Sequence, residues 1–173
     1  MTKRYISRFL SAALILAAGL FPVHVLQIDD LRGDRGVYLR TIRTGDRFTL
    51  MYRHSVELCP VWDFYRIDGE HRIVLDETVF ASSNTGLPSV LTGQERFTRG
   101  EKASRISNIG RILPAVEVWV DRRYDNTLEF DSQKVRLAEL AGNTLLRLRI
   151  SRITLAEYGY RSMHSFLTND PRP

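Results

Sequence analysis

The sequence has a single cysteine, Cys59, among its 173 residues. One thiol forms no internal disulfide, so the folded domain depends on a hydrophobic core for its stability. The chain also lacks any run of five like charges, because its 25 basic residues are interleaved with 20 acidic ones despite a net charge of +5. This mixed pattern indicates a solvated surface with no nucleic-acid partner.

Several signatures of catalysis are missing. There is no G-x-S-x-G elbow, no compact metal-binding motif and no internal repeat or low-complexity tract. Ser55 follows His54 directly, but neighbouring residues of a strand point to opposite faces, so this histidine does not suit the role of base for this serine. We therefore expect a protein that is not an enzyme and that holds no cofactor.

The N-terminus carries the longest apolar stretch of the chain. The basic residues Lys3, Arg4 and Arg8 precede Phe9 to Val23, which contains no charge. Extended to residue 28, the stretch reaches about twenty residues, the length of a helix that crosses a bilayer. This layout predicts a membrane anchor or signal sequence over residues 1–28, with residues 9–28 in the inner (cytoplasmic) membrane. The rest of the chain is then expected on the periplasmic or extracytoplasmic side.

The remaining sequence changes to a period of two. We expect a polar linker over residues 29–36, a β-domain over 37–167 and a disordered tail over 168–173, with no long helix after the anchor. Turn signals such as Asp68-Gly69 separate short runs of β-branched and aromatic residues. The pattern predicts an all-β fold, either an antiparallel β-sandwich or a small barrel of about eight strands. The expected strands are Val37 to Ile42, Phe48 to His54, Val61 to Ile67, Ile73 to Phe80, Ala115 to Val120, Thr127 to Phe130, Val135 to Leu137 and Thr144 to Ile153.

Strand alternation predicts which side chains meet. His54 ends the apolar row of Phe48, Leu50 and Tyr52. A tight Asp68-Gly69 turn would put Glu77 at the end of a second core-facing row, with Trp62 and Phe64, and would turn Asp63 to the opposite face unless Pro60 marks a bulge. Since a buried carboxylate needs a partner, we expect His54 and Glu77 to lie close together, beside the loop that contains Glu57.

Three interpretations of this cluster remain open. His54 and Glu77 can be a structural hydrogen-bonded pair that closes the core. Together with Glu57 they can instead supply the nitrogen and oxygen ligands of a metal site, in a metal-binding domain or metal-dependent enzyme. The third interpretation is a recognition surface, formed with the long polar segment between Ser82 and Ser104, because long loops in compact domains are often functional.

The sequence resembles a bacterial family catalogued as domain of unknown function 1850. That family has a pattern like Y-x-H-S-V-E-x-x-P-V-x-E-x-Y-x-I, followed by E-T-x-F-x-S-x-x-x-G-L-P, behind an N-terminal hydrophobic segment. The first pattern is matched by Tyr52, His54, Ser55, Val56, Glu57, Pro60, Val61, Tyr65 and Ile67. The second is matched by Glu77, Thr78, Phe80, Ser82, Gly86, Leu87 and Pro88. The sequence departs from the family at Asp63, where glutamate is usual, and at Asn84-Thr85.

The resemblance implies a role in transport, because members are often encoded beside TRAP transporters of the TAXI type. It implies a non-catalytic accessory or small subunit that contacts the permease or its solute-binding protein. The contact residues expected on this basis are His54, Ser55, Glu57, Asp63, Tyr65, Glu77, Thr78, Gly86, Leu87 and Pro88.

Overall fold

A computed structural model describes residues 16–54, 59–81 and 93–168, together with Ser11 and Leu14. Residues 16–19 are helical, and twelve strands and two further helices follow in the described part of the chain. These elements are β1 (Pro22–Asp30), β2 (Arg35–Thr41), β3 (Arg47–Arg53), β4 (Pro60–Ile67), β5 (Ile73–Phe80), β6 (Arg96–Arg99), β7 (Ser104–Ser107), β8 (Arg111–Leu113), β9 (Val116–Val120), β10 (Thr127–Phe130), β11 (Gln133–Arg136), α1 (Leu137–Ala141), β12 (Thr144–Thr154) and α2 (Leu155–Thr168).

The strands form two antiparallel sheets. The smaller sheet has the order β2-β1-β12-β9, and the larger one has the order β11-β10-β3-β4-β5-β7-β6, with β8 also paired to β5. The predicted antiparallel, mostly β fold is thus confirmed, and each of the eight predicted strands is present. Neither sheet closes into a barrel within the described residues, so strands β9 and β2 remain at the edges of the smaller sheet.

Both sheets contribute to one hydrophobic core. Leu26 and Leu146 come from the smaller sheet, while Leu50 and Leu128 come from the larger one, and all four are at most 1% exposed. Full burial of one such side chain stabilises the fold by about 1.5–3 kcal/mol relative to leaving it exposed to water. The shared core therefore holds the two sheets against each other and sets the space between them.

The prediction of a helix over residues 9–28 is wrong for residues 22–28. Pro22–Asp30 form strand β1, which pairs with β2 on one side and β12 on the other. Val25, Leu26 and Ile28 are 0% exposed because both faces of β1 are covered. A strand buried on both faces has a continuous apolar sequence, which periodicity alone does not distinguish from a helical segment. No helix in the described part of the chain is long and apolar enough to span a bilayer.

Two other segments differ from their predictions. The expected linker forms the end of β1, a turn over residues 31–34 and the start of β2. Asp30 holds this turn, since its carboxylate accepts hydrogen bonds from the Thr144 hydroxyl at 2.5 Å and from the Arg32 amide at 3.1 Å. The segment between Ser82 and Ser104 contains strand β6, which pairs with β7 in a hairpin; its residues 82–92 lie outside the described part.

Helix α2 corrects the expectation that no long helix follows the N-terminal segment. The amide of Glu157 donates to the Thr154 hydroxyl at 3.1 Å, which caps the first turn. Glu157 also pairs with Arg161 one turn later, at 2.6 Å between Oε1 and Nη2. The T-x-x-E spacing is a capping signature that could have revealed this helix from the sequence. Of the predicted disordered tail, residues 169–173 lie outside the described part.

The β4–β5 hairpin contains a bulge that changes the predicted pairing. Tyr65 lies opposite Leu75, whereas Phe64 lies opposite Glu77, so Asp76 is an extra residue on β5. The hairpin begins three residues out of the register expected for a two-residue turn at Asp68-Gly69, because Ile67 pairs with Ile73 instead of Glu70. Ile73 and Leu75 lie opposite Ile67 and Tyr65, so the predicted inward row with Trp62 and Phe64 is wrong.

The inward row of β4 instead consists of buried residues in the alternate positions. Val61, Asp63, Tyr65 and Ile67 are all buried, while Phe64 is 37% exposed. Since the period of a strand is two, a shift by an odd number of residues moves every side chain to the other face. Asp63 therefore points into the space between the sheets, contrary to the prediction.

Candidate functional site

The most unusual residue of the core is Asp63, which is only 8% exposed in the middle of β4. Its carboxylate accepts hydrogen bonds from two hydroxyl groups, Thr78 Oγ1 at 2.7 Å and Tyr65 Oη at 3.2 Å. The hydroxyl of Tyr52 is a third hydrogen-bond partner. A buried charge is tolerated only when such partners replace water, so these four side chains form one unit, the Asp63 cluster.

The sheet register brings the cluster together. Asp63 lies directly opposite Thr78 on β5 and directly opposite Leu50 on β3. Tyr52 and Tyr65 are each two residues from one of these positions, so their side chains point to the same face. Three adjacent strands thus supply the carboxylate and its three hydroxyl groups.

Burial dominates the electrostatics of the cluster. It raises the pKa of Asp63 above its ordinary value, although the hydrogen bonds from Thr78, Tyr52 and Tyr65 oppose part of this effect. Burial, followed by the neighbouring charge of Asp63, also raises the pKa of both tyrosines. The phenols therefore remain protonated and act as hydrogen-bond donors toward the carboxylate.

The cluster forms the polar floor of a cavity of about 540 Å³ that opens between the two sheets. This volume falls in the range of about 300–1,000 Å³ that is common for small-molecule sites. Edge strand β9 forms one wall, and Arg53 and His54 lie at the end of β3. The apolar lining comes from Leu50, Leu75, Leu113, Val116, Val118 and Trp119.

The structure brings some of the residues predicted for the site together. Asp63, Tyr65 and Thr78 form the cluster, and His54 lines the same cavity. Ser55, Glu57 and the segment Gly86, Leu87 and Pro88 lie outside the described residues.

Glu77 is not at this cavity. It shares the outer face of its sheet with Phe64, and its carboxylate pairs with Arg105 at 3.2 Å. The predicted proximity of His54 and Glu77 is therefore not found, because the two residues lie on opposite faces of the sheet. Within the described part of the chain, no group of three or more histidine, cysteine, aspartate or glutamate residues is arranged to hold a metal ion.

Two residues of the cavity were not predicted to belong to the site. Tyr52 belongs to the predicted apolar row that ends at His54. Because alternate residues of a strand share a face, this row already predicts that Tyr52 and His54 lie on the same side of the sheet. Trp119 is 47% exposed, and the Arg32 guanidinium carbon lies 4.5 Å from the centroid of its ring. No sequence signal placed β9 above the cluster, because this contact joins strands far apart in the chain.

Comparison with known proteins identifies a family match. A family model described as "Domain of unknown function (DUF1850)" matches residues 48–137, more than half of the chain. This range runs from β3 to the start of α1 and contains the whole Asp63 cluster as well as β9. No curated protein and no solved structure matches the chain.

Proposed function

The chain belongs to the DUF1850 family, and from this membership we propose that it is a non-catalytic accessory or small subunit of a TAXI-type TRAP transporter. In this proposal the domain lies on the extracytoplasmic side of the inner membrane. It binds the permease or its solute-binding protein through the mouth of the cavity, at His54.

One observation carries the proposal. Tyr52, Tyr65 and Thr78, which match the family-like pattern, come from three separate strands and surround Asp63, which stands where the pattern usually has glutamate. His54, another residue of the pattern, lines the same cavity. Alternate positions of the pattern therefore define one continuous inner surface. A cavity with a few convergent polar groups among apolar walls is typical of a recognition site.

The electrostatics of the two phenols supports a binding role over use as a nucleophile or base. An activated nucleophile or base needs a pKa brought toward the working pH. The tyrosines of the cluster change in the opposite direction, because burial raises the pKa of both phenols. The hydrogen bonds from Thr78 and Tyr65 hold the carboxylate in place, which favours a fixed recognition group.

The first described residues support attachment to a membrane. Leu14, Leu16, Leu20 and Phe21 are all 65% exposed or more, before β1 begins at Pro22. Clustered exposed apolar side chains mark interaction surfaces. In this proposal the membrane-contacting stretch covers residues 9–21, preceded by basic residues that favour an anionic lipid surface.

Co-purification tests the proposed function. The tagged full chain is expressed with the neighbouring permease and solute-binding protein, solubilised in mild detergent and captured. We expect a transporter component to be recovered with the wild type and to be reduced at least several-fold with His54→Ala. Glu129→Gln is the matched control, since Glu129 is exposed on β10, away from the cavity. Capture of the folded chain without any transporter component would overturn the proposal.

A further inference from the structure

We propose that the Asp63 cavity binds a small amphipathic amine, with the ammonium group against Asp63 and an apolar body between the two sheets. The inference goes beyond the proposed transporter role, because it concerns a ligand held inside the cavity and requires no partner protein.

The first argument is the charge of the cavity floor. Asp63 carries a buried carboxylate whose described neighbours are the hydroxyl groups of Thr78, Tyr52 and Tyr65. Among the described residues, no lysine, arginine or histidine forms an ion pair with this carboxylate. Hydroxyl dipoles stabilise a buried negative charge less than a cation does. A ligand with a positive charge therefore gains from this floor, and a ligand with a negative charge is repelled by it.

The second argument is the direction of the hydrogen bonds. Thr78 and Tyr65 donate their hydroxyl hydrogens to Asp63, at 2.7 Å and 3.2 Å. The unused positions on these oxygens and on the carboxylate are lone pairs, so the cluster offers acceptors to a ligand. A primary ammonium group has three N–H donors and no acceptor, which complements such a surface.

The third argument is the character of the walls. Apolar side chains from β5, β8 and β9 surround the floor, among them Leu75, Leu113 and Val118. Walls of this kind select an amine with a hydrocarbon body over a hydrated inorganic cation.

The other charged residues around the cavity do not cancel this preference. Arg53 lines the mouth of the cavity but alternates with Tyr52 on β3, and its guanidinium lies 5.5 Å from the ring centroid of Tyr124. Glu117 alternates with Val116 and Val118 on β9 and pairs with Arg147 at 2.7 Å. His54 lines the cavity at the end of β3, beyond the last residue of the strand.

A series of isosteric ligands tests the inference on the full wild-type chain. Cyclohexylammonium, cyclohexanol and cyclohexanecarboxylate share a ring and differ in the charge of one substituent. Isothermal titration is expected to give tighter binding of the ammonium compound than of the alcohol by at least about tenfold, and no binding of the carboxylate. Carboxylate binding equal to or tighter than ammonium binding would overturn the inference, and this comparison needs no variant.

Two variants then locate the site. Asp63→Asn keeps the shape of the side chain and removes its charge, so the ammonium and alcohol compounds should bind equally to it. Glu129→Gln removes one exposed carboxylate elsewhere and should leave the wild-type preference unchanged. A tenfold ammonium preference that survives in Asp63→Asn contradicts the assignment to this cavity.

A lysine side chain of a protein partner would present the same chemistry. Nα-acetyl-lysine N-methylamide is the probe for this source. Tighter binding of this probe than of cyclohexylammonium assigns the site to a polypeptide lysine, and the reverse order assigns it to a free amine. Because all these measurements use the purified chain alone, their failure leaves the co-purification result intact, and the converse is also true.

Discussion

Asp63 and Thr78 lie directly opposite each other on neighbouring strands, with 2.7 Å between the Thr78 hydroxyl and one carboxylate oxygen. Thr78→Val keeps the shape of the side chain but removes this donor. A buried charged acceptor that loses one partner costs about 1–3 kcal/mol. We expect the variant to be destabilised by about this amount in urea unfolding, with the pKa of Asp63 raised further.

Thr98→Val is the control for this change. Thr98 also lies in a strand of the larger sheet, but it is exposed on β6. The same substitution there should alter the free energy of unfolding by less than about 0.5 kcal/mol. Equal effects of the two variants would show that the Thr78 hydroxyl does not stabilise the buried carboxylate.

Asp63 itself predicts a dependence of stability on pH. Its pKa is raised in the folded chain, chiefly by burial, so its contribution to stability is fully present below the ordinary pKa, about 4. The contribution is lost as the pH rises through the folded-state value. We therefore expect the stability of the wild type, measured relative to Asp63→Asn, to fall as the pH is increased from about 4. A difference that stays constant up to pH 7 would contradict the raised pKa.

The close approach of Gly33 to Asp30 predicts that a side chain at position 33 destabilises the turn between β1 and β2. A Cβ atom at this position would lie 2.5 Å from Asp30 Oδ2, the carboxylate that holds the turn. We expect Gly33→Ala to destabilise the domain by about 1–3 kcal/mol, because the clash displaces Asp30 from its partners. The measurement is the urea midpoint.

Gly69 provides the comparison for Gly33. A Cβ atom there meets no other atom within 4 Å. Gly69→Ala should be neutral or stabilising by up to about 1 kcal/mol, because alanine restricts the unfolded chain. If both alanine variants were equally stable, the close approach of Gly33 to Asp30 would not affect the free energy of unfolding.

His24 and His71 predict a loss of stability in acid. Their rings stack at 3.7 Å between centroids. Burial, followed by the charges of His71 and Arg152, lowers the pKa of His24 below its ordinary value of 6.5. The unfolded chain therefore takes up a proton first, and stability is lost as the pH falls below 6.5 toward the lowered value. His24→Phe keeps an aromatic ring and should lose less stability between pH 7.5 and pH 5 in urea unfolding. An identical loss in both proteins would assign the acid sensitivity to other groups.

The sequence predicts eight of the twelve described strands, because alternation and turn residues are local signals. The inner and outer faces of β4 were not predictable in the same way, since the bulge at Asp76 depends on pairing between strands. Strand β1 was missed because its two buried faces give the continuous apolar sequence of a membrane helix. The capping signal of α2 is local, and Thr154 with Glu157 would have identified it.

The same distinction applies to the candidate site. Asp63, Tyr65 and Thr78 were predicted as site residues, but their common hydrogen bonds depend on the register of three strands. Glu77 and His54 were expected to meet, and the bulge separates them onto opposite faces. Pairing across strands is a long-range property. The sequence therefore shows which residue types are present, but it does not show which of them meet.

The extra residue on β5 makes spacing part of the site's chemistry. If Asp76 were paired with Phe64 instead of bulged, the register of Tyr65 with Leu75 would continue and set Glu77 opposite Asp63. Two carboxylates would then face each other where a carboxylate and a hydroxyl now meet, and a pair that close shares a proton instead of ionising fully. A shift of one residue that changes no side chain would thus replace a hydrogen-bond donor with a second acid. The position of the bulge between Leu75 and Glu77 therefore specifies the site as directly as the identity of Asp63 or Thr78.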